Sequence, residues 1–183
     1  MKIYTRKGDD GTTGLYFGGR ARKDSDAPRA YGAVDEAQAA IGVARAEARA
    51  SGGAGGELDL LLVDLCRDLY VCMAELATAA ENRSKLVAGS SLVTAEMVAA
   101  LEPQIDDVMG RFELSPDFVI PGATRVSAAL DLARTLVRRA ERETIGVAPE
   151  GSYVVPYLNR LSDLLWALAR WQDGSDHLLA KET

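Results

Sequence analysis

Residues 118–142 read FVIPGATRVSAALDLARTLVRRAER, and this stretch decides the fold. At 100° per residue its apolar side chains fill one arc of about 120°, the width of a core-facing helical stripe. The turn residues Pro121-Gly122 are followed by Thr124, whose hydroxyl predicts an N-cap for a helix that begins near Arg125. We therefore predict a central helix with one buried face. The side chains of that face are Val126, Ala129, Leu130, Ala133, Leu136, Val137 and Ala140.

The polar side of this helix carries more arginine than solubility requires. Arg134, Arg138 and Glu141 lie at positions i, i+4 and i+7 and form one stripe, while Arg139 and Arg142 point to another side. Guanidinium groups suit bidentate binding of phosphate or carboxylate. The spacing alone leaves two alternatives open, which are an anion site and a solvated face of arginines paired with glutamates along the helix.

Composition limits the classes of function. The 183 residues predict one domain, and the net charge of −6 argues against non-specific nucleic-acid binding. No apolar run approaches the length of a membrane span and no apolar signal core follows Met1, so we predict a cytoplasmic protein without membrane contact. Cys66 and Cys72 are too far apart for a C-x-x-C motif, and the single histidine, His177, argues against a histidine metal site or a Ser-His-Asp triad.

Residues 1–24 combine glycine, threonine, lysine and arginine. Glycines let backbone N–H groups turn inward around an anion, and hydroxyl and cationic side chains complete a phosphate cradle. The Walker A pattern is absent. A flexible terminus is the alternative interpretation of this segment.

Helical periodicity predicts four further helices. The first begins near Asp26, the second covers about 57–81, the third begins after Thr94, and the last covers about 156–172. Pro103 should kink or divide the third helix. With hardly any strand signal beyond the first few residues, we predict an all-α fold, an up-and-down five-helix bundle with a four-helix-bundle-like core. The single domain would comprise an N-terminal Gly-rich loop (1–24), the bundle (25–172) and a mobile tail (173–183).

Several blocks of the sequence carry a family resemblance. YTRKGDDGTTG (4–14), AYGAVDE (30–36), FVIPGAT (118–124), ARTLVRRAER (133–142) and YLNRLSDLLWALAR (157–170) resemble, in order and spacing, the signatures of the PduO-type ATP:cob(I)alamin adenosyltransferases. The resemblance implies transfer of the 5′-deoxyadenosyl group of ATP to cob(I)alamin, giving adenosylcobalamin and triphosphate. It also implies Mg²⁺ on the triphosphate and a homotrimer with active sites between adjacent subunits.

The resemblance also implies where ATP binds. The N-terminal block looks like the family's ATP loop, and Glu141 would either orient an arginine or help to hold Mg²⁺. The loop positions that would bind triphosphate and ribose are Thr5, Arg6, Lys7, Gly8, Thr13, Gly14 and Lys23. The helical positions that would bind the nucleotide are Arg138, Arg139, Glu141, Arg142 and Asn159.

Two further roles follow from the same resemblance. Asp35 would pair with Arg134 across a subunit boundary, and we expect both, with Arg138, to act in catalysis. Phe118 is the candidate for an apolar wedge on the lower face of the corrin, where it would displace the axial ligand of cobalt and ease reduction to Co(I). A core position is the ordinary alternative for a lone phenylalanine before a turn.

Two other functions are alternatives to catalysis. A non-catalytic escort that delivers adenosylcobalamin to a dependent enzyme should have lost phosphate ligands, whereas this sequence keeps its loop lysines, its arginine cluster and Asn159. A helical scaffold for protein partners predicts a large exposed apolar patch and no use of ATP. We therefore favour the enzyme, with a cobalamin reductase and a B12-dependent acceptor enzyme as expected partners.

Overall fold

The computed structural model describes residues 2–51, 55–115, 117–175 and 177–181. Within these residues the chain forms six α-helices, which are α1 (Asp26–Ser51), α2 (Gly55–Leu76), α3 (Ala95–Ala99), α4 (Leu101–Met109), α5 (Arg125–Thr144) and α6 (Val154–Asp173). A 3₁₀ helix covers Ala80–Lys85. Four short strands are β1 (Thr12–Gly14), β2 (Arg20–Arg22), β3 (Val119–Ile120) and β4 (Leu178–Leu179). The predicted all-α bundle is confirmed. No described helix is both long and apolar enough to cross a membrane.

Helix α5 packs against both α1 and α6, and α2 packs against α1. Tyr157 of α6 also donates a hydrogen bond to Asp68 of α2 at 2.8 Å. The facing surfaces of α1 and α5 are rich in alanine, which lets the two backbones approach closely. Six of the seven side chains in the predicted arc of α5 are buried, and Leu136 is partly buried against the same core. The apolar arc read from the sequence is therefore the surface on which the bundle is built.

Helix α2 ends five residues earlier than the sequence predicts. Its last turn is continued by a hydrogen bond from Ala77 N to Met73 O, but the Ala77 carbonyl then accepts from the backbone N–H of Tyr16 at 2.9 Å. In a continued helix that carbonyl would accept from Glu81 N. The helical bond before it is lost as well, because Thr78 N donates to Glu75 O at 3.2 Å instead of to Ala74 O. The N-terminal segment therefore contributes to the end of the helix. The 3₁₀ helix replaces the predicted end of α2.

The third predicted helix is divided into α3 and α4, as Pro103 suggests, although the break falls at Ala100. A proline ring clashes with the carbonyl four residues earlier, so a helix from α3 cannot continue through Pro103. In α4 Pro103 occupies the first turn, where a backbone N–H has no helical acceptor and its loss costs little. Thr94 accepts from Met97 N and caps α3 as predicted.

Two short sheets add to the predicted helices. β1 pairs with β2, and β3 pairs with β4, both antiparallel. The β3–β4 pair was not predicted, because its strands are only two residues long and stand almost sixty positions apart. β4 belongs to the segment for which the sequence predicts a mobile tail.

A buried carboxylate fixes the loops at the end of α2. Glu75 is fully buried and accepts hydrogen bonds from Val93 N at 2.8 Å and from Ser152 Oγ at 2.7 Å. Arg83 supplies its counter-charge at 3.1 Å. Because these three partners come from separate connections, Glu75 holds the 3₁₀ segment, the entry to α3 and the entry to α6 together.

Candidate functional site

The start of α5 is fixed by a reciprocal cap. Thr124 Oγ1 accepts from Ser127 N at 3.0 Å, and Ser127 Oγ accepts from Thr124 N at 3.1 Å, which confirms the predicted N-cap. The Thr124 hydroxyl also donates to the Gln172 carbonyl near the end of α6, at 3.2 Å. Gly122 takes φ +115°, a conformation that side-chain-bearing residues rarely adopt. The turn before α5 therefore has one defined geometry, and it sets the direction of β3.

Phe118 stands directly before β3 and is 88 % exposed. Its carbonyl accepts from Ala180 N at 2.8 Å, so the backbone around it is held by the β3–β4 pair. The exposed side chain excludes the core position that a lone phenylalanine would ordinarily take. Instead, Phe118 lines a large cavity.

This cavity measures about 1040 Å³ and lies between the end of α6, the beginning of α5 and the segment that joins α4 to β3. Its lining combines the aromatic side chains Phe112, Trp166 and Trp171 with charged groups of α5 and α6. Arg111 lies over the Trp171 ring at 4.8 Å and is paired with Glu57 at 2.7 Å. A cavity of this size with a mixed lining can enclose a large, mostly apolar ligand that carries polar substituents.

The C-terminal segment forms another wall of the cavity. His177, Ala180 and Lys181 all line it. A ring nitrogen of His177 lies 3.1 Å from the Gly174 carbonyl. The place of the single histidine at the cavity was not predictable, because β4 is recognisable only once it is paired with β3.

Charged side chains form a buried ion cluster at one side of the cavity. Its members are Asp131, Arg134, Arg170 and Asp173, and all four line the cavity. Arg134 Nε lies 3.1 Å from Asp131 Oδ1, Arg170 lies 2.5 Å from the other oxygen of Asp131, and Arg170 Nε lies 2.9 Å from Asp173. Asp131 is 5 % exposed and Asp173 is 3 % exposed. Two carboxylates and two guanidinium groups balance, so the cluster can be buried without net charge.

Sequence reasoning missed this ion cluster apart from Arg134. Asp131 falls well outside the apolar arc, and a carboxylate there predicts a solvated side chain. The available signal was its place three residues before Arg134, a spacing that puts two side chains on the same helical face.

The other predicted residues of α5 differ in their surroundings. Glu141 accepts from Asn159 Nδ2 of α6 at 3.1 Å, so the structure brings these two predicted nucleotide contacts together. Arg139 pairs with Glu36 of α1. Arg138 is exposed, and its side chain forms no ion pair or hydrogen bond with any residue that the structure describes.

Asp35 is exposed on α1. Within the described chain Arg134 pairs with Asp131, and no contact joins it to Asp35. The expected Asp35–Arg134 pair is a contact between subunits, and it stays a prediction.

The N-terminal loop is built around Arg20. This arginine donates to Lys7 O at 2.5 Å and, through Nε, to Thr12 Oγ1 at 2.9 Å, which ties the loop to the β1–β2 hairpin. The Thr12 hydroxyl in turn donates to Asp10 and lowers the pKa of that carboxyl. A Cβ on Gly8 would meet Thr12 O at 3.0 Å, so any other residue here would press on the backbone of β1.

The predicted anion-binding positions of this loop are largely exposed. Thr5, Arg6, Lys7, Gly14 and Lys23 are exposed, and Gly8 and Thr13 are partly exposed. Arg6 has a positive φ of 60°, which an arginine rarely adopts. The loop therefore presents cations and backbone groups to its surroundings in a folded arrangement.

The comparisons with known proteins bear on the whole chain. Residues 3–172 match the family model for cobalamin adenosyltransferase. The chain is 38 % identical over 180 residues to the corrinoid adenosyltransferase PduO of Salmonella typhimurium, covering 97 % of this chain and 51 % of that protein. It is 38 % identical over 174 residues to a corrinoid adenosyltransferase of Bacillus subtilis, covering 93 % and 86 %. The chain thus spans about half the length of PduO proteins and most of the Bacillus protein.

Solved structures agree with these matches. A variant of the PduO-type ATP:corrinoid adenosyltransferase from Lactobacillus reuteri, complexed with cobalamin and ATP, superposes with a TM-score of 0.86 at 28 % identity over 99 % of this chain and 97 % of that one. A second variant, complexed with ATP, gives a TM-score of 0.83 at 27 % identity over 98 % and 100 %. Since the family model covers nearly the whole bundle, the chain belongs to the cobalamin adenosyltransferase family.

Proposed function

We propose that this protein transfers the 5′-deoxyadenosyl group of ATP to the cobalt of a reduced corrinoid. The electron pair of Co(I) attacks C5′ and forms the cobalt–carbon bond, while the C5′–O bond breaks and triphosphate leaves with that bond's electrons. The observation that carries the proposal is the position of Phe118, exposed in a cavity large enough for a corrin and beside arginines of the family's signature. Membership of the family supports the same reaction.

The reaction requires stabilisation of the triphosphate leaving group and does not require a general acid or base. Cobalt is the nucleophile, and negative charge builds on the triphosphate as C5′–O breaks. Cations placed around that group would stabilise the transition state more than the ground state. Arg138 is suited to this task, because its guanidinium is exposed and unpaired within the described chain.

The cations assigned to ATP lie in two separate parts of the chain. The N-terminal loop packs on the end of α2 through Tyr16 and through Asn82, whose amide approaches the Gly18 carbonyl at 3.5 Å. No hydrogen bond or ion pair joins this loop to the arginines of α5 in the described residues. This arrangement supports a site shared between neighbouring subunits, in which the loop of one subunit and α5 of the next bind the same ATP. A homotrimer, with Asp35 of one subunit next to Arg134 of another, is the assembly we propose.

Magnesium would be held mainly by the triphosphate. Mg²⁺ typically uses one or two protein carboxylates together with phosphate oxygens and water. The described residues contain no group of three or more potential protein ligands, whereas Glu141 offers one partly exposed carboxylate on α5. One oxygen of Glu141 already accepts from Asn159, and the other is left for the ion. The ion would neutralise charge on the departing triphosphate.

Phe118 would act on cobalt from below. An aromatic ring against the lower face of the corrin leaves no room for water or a base on cobalt, and a cobalt(II) centre without that ligand is easier to reduce. The position of Phe118 beside the capped turn supports this role, because the β3–β4 hydrogen bond and the Thr124 cap fix the backbone that carries the ring.

The decisive experiment supplies purified protein with chemically reduced cob(I)alamin, MgATP and no oxygen. We expect the Co(I) absorbance to decay only when ATP is present, with adenosylcobalamin and triphosphate formed in equal amounts. An escort protein would bind adenosylcobalamin and leave cob(I)alamin unreacted, which would refute the proposed reaction. A cytoplasmic location, a cobalamin reductase and a B12-dependent acceptor enzyme remain predictions from the sequence.

A further inference from the structure

Arg134 is held inside its own chain. Its Nε–H donates to Asp131 Oδ1 at 3.1 Å, and the second oxygen of Asp131 accepts from Arg170 at 2.5 Å. The two terminal nitrogens of Arg134 form no hydrogen bond or ion pair with any residue that the structure describes. One edge of the guanidinium is therefore fixed and the other is available to a group from outside the chain.

Fixing one edge of a guanidinium fixes its plane. The five N–H groups of arginine lie in one rigid fork, so a hydrogen bond at Nε, together with the covalent bond to Cδ, defines the directions of the terminal N–H groups. An unrestrained arginine would lose side-chain entropy whenever it bound its target. Asp131 removes that cost in advance, because it is itself 5 % exposed and is held by Arg170.

We propose that Asp131 is a positioning residue for adenosyl transfer, and this inference rests on the proposed function. Asp131 orients Arg134 at the cavity wall, so that the terminal nitrogens of Arg134 are set for the anionic substrate or for Asp35 of a neighbouring subunit. Arg170 completes the arrangement by fixing the carboxylate of Asp131. The carboxylate acts through Arg134 and does not itself touch the reacting atoms.

A purely structural ion pair would behave differently, and the bundle contains one away from the cavity. Asp59 of α2 lies 2.9 Å from Arg45 Nε of α1, is partly buried and does not line the cavity. Removing the charge of Asp131 or Asp59 leaves an arginine short of a partner, so both substitutions should lower thermal stability. Only the loss of Asp131 should release Arg134.

The test compares Asp131→Asn with Asp59→Asn, using melting temperature, kcat and KM for ATP and for the corrinoid. We expect Asp131→Asn to lower kcat by about tenfold, the effect of losing one charge-assisted hydrogen bond that orients a catalytic group. Asp59→Asn should also lower the melting temperature, but it should lower kcat by less than about threefold. Equal losses of kcat in the two variants would overturn the role of Asp131.

A double-mutant cycle supplies the second readout. In an Arg134→Met background, measured by single turnover with enzyme in excess, Asp131→Asn should change the rate by less than about twofold, because the residue it positions is gone. If Asp131→Asn lowers the rate by the same factor in both backgrounds, the proposal is overturned. If Asp131→Asn does not fold, Asp131→Glu takes its place, and we expect it to lower kcat by about threefold in the wild-type background only. Full turnover of the Glu variant would also overturn the proposal.

The two proposals fail in different ways. Wild-type protein that forms no cobalt–carbon product overturns the proposed function before any variant is compared. An active wild type with equal losses in the cycle overturns only the role of Asp131.

Discussion

Replacement of Phe118 by alanine separates a wedge from a structural side chain, because the two roles predict losses of stability of different size. Phe118 is 88 % exposed, so the folded chain covers only a small part of its roughly 200 Å² of surface. At about 25 cal/mol per Å², losing that covered part costs roughly 0.6 kcal/mol. A core phenylalanine would cost about 3–5 kcal/mol. We expect the unfolding free energy of Phe118→Ala in urea to stay within about 1 kcal/mol of wild type.

The effect on activity should depend on the oxidation state of the cobalt that is supplied. Covering one face of the ring, about 60 Å², against a corrin would contribute roughly 1.5 kcal/mol. That free energy corresponds to about a tenfold change in rate. We expect this loss when the assay begins from cob(II)alamin with a reductant, and a much smaller loss when it begins from chemically generated cob(I)alamin.

The matched control for this prediction is Ile120→Ala. Ile120 lies in β3, two residues after Phe118, is 47 % exposed and does not line the cavity. The Ile120→Ala variant should therefore keep wild-type activity with either form of cobalamin. An equal loss with both forms in Phe118→Ala would refute the wedge, and a loss of stability above about 3 kcal/mol would refute the exposed position.

Three further substitutions test other parts of the site and the core. Arg138→Ala should lower turnover by about tenfold or more, while the helix content measured by circular dichroism stays unchanged. The control is Arg125→Ala, which replaces an exposed arginine at the start of the same helix. Equal turnover in the two variants would remove Arg138 from the site. Asp35→Asn should raise KM for ATP or shift the assembly from trimer to smaller species in gel filtration; wild-type values for both would count against the contact between subunits. Burial raises the pKa of Asp68 above 3.8, so the folded chain binds this proton more tightly than the unfolded chain and stability falls as pH rises through that window. Asp68→Asn, which keeps an acceptor for the Tyr157 hydroxyl at 2.8 Å, should flatten the fall in stability as pH rises above 3.8 in urea titrations, and an unchanged slope would contradict the assignment.

The parts of the fold that follow from local chemistry were predictable. The apolar arc of α5 is periodic over five turns, so its buried face is encoded within the helix itself. Thr124 and Ser127 complete a cap within four consecutive residues, and a motif this short is visible in the sequence. Pro103 likewise predicts a break in the helix, and this prediction does not depend on the residues that pack against it.

The parts that depend on distant partners were not predictable. Helix α2 ends where Tyr16 takes the carbonyl of Ala77, and nothing in the sequence near Ala77 indicates that competitor. β3 and β4 are recognisable only as a pair. The same limit applies to the site, since the exposed Phe118 and the buried Asp131 each reverse the burial that their residue types predict.

These two reversals belong to one cavity, and together they indicate how the site is organised. An exposed aromatic ring loses hydrophobic stabilisation, and a buried carboxylate loses solvation, so each lowers the stability of the folded chain unless a partner compensates it. Asp131 has its partners within the chain, in Arg134 and Arg170. Phe118 has none of comparable extent among the residues that the structure describes. The polar side of the cavity is therefore complete before a ligand binds, whereas the apolar side gains its contacts from the ligand. In such a site, corrinoid binding and the reduction of cobalt should depend on the ring, and transfer from Co(I) should depend on the preset guanidinium.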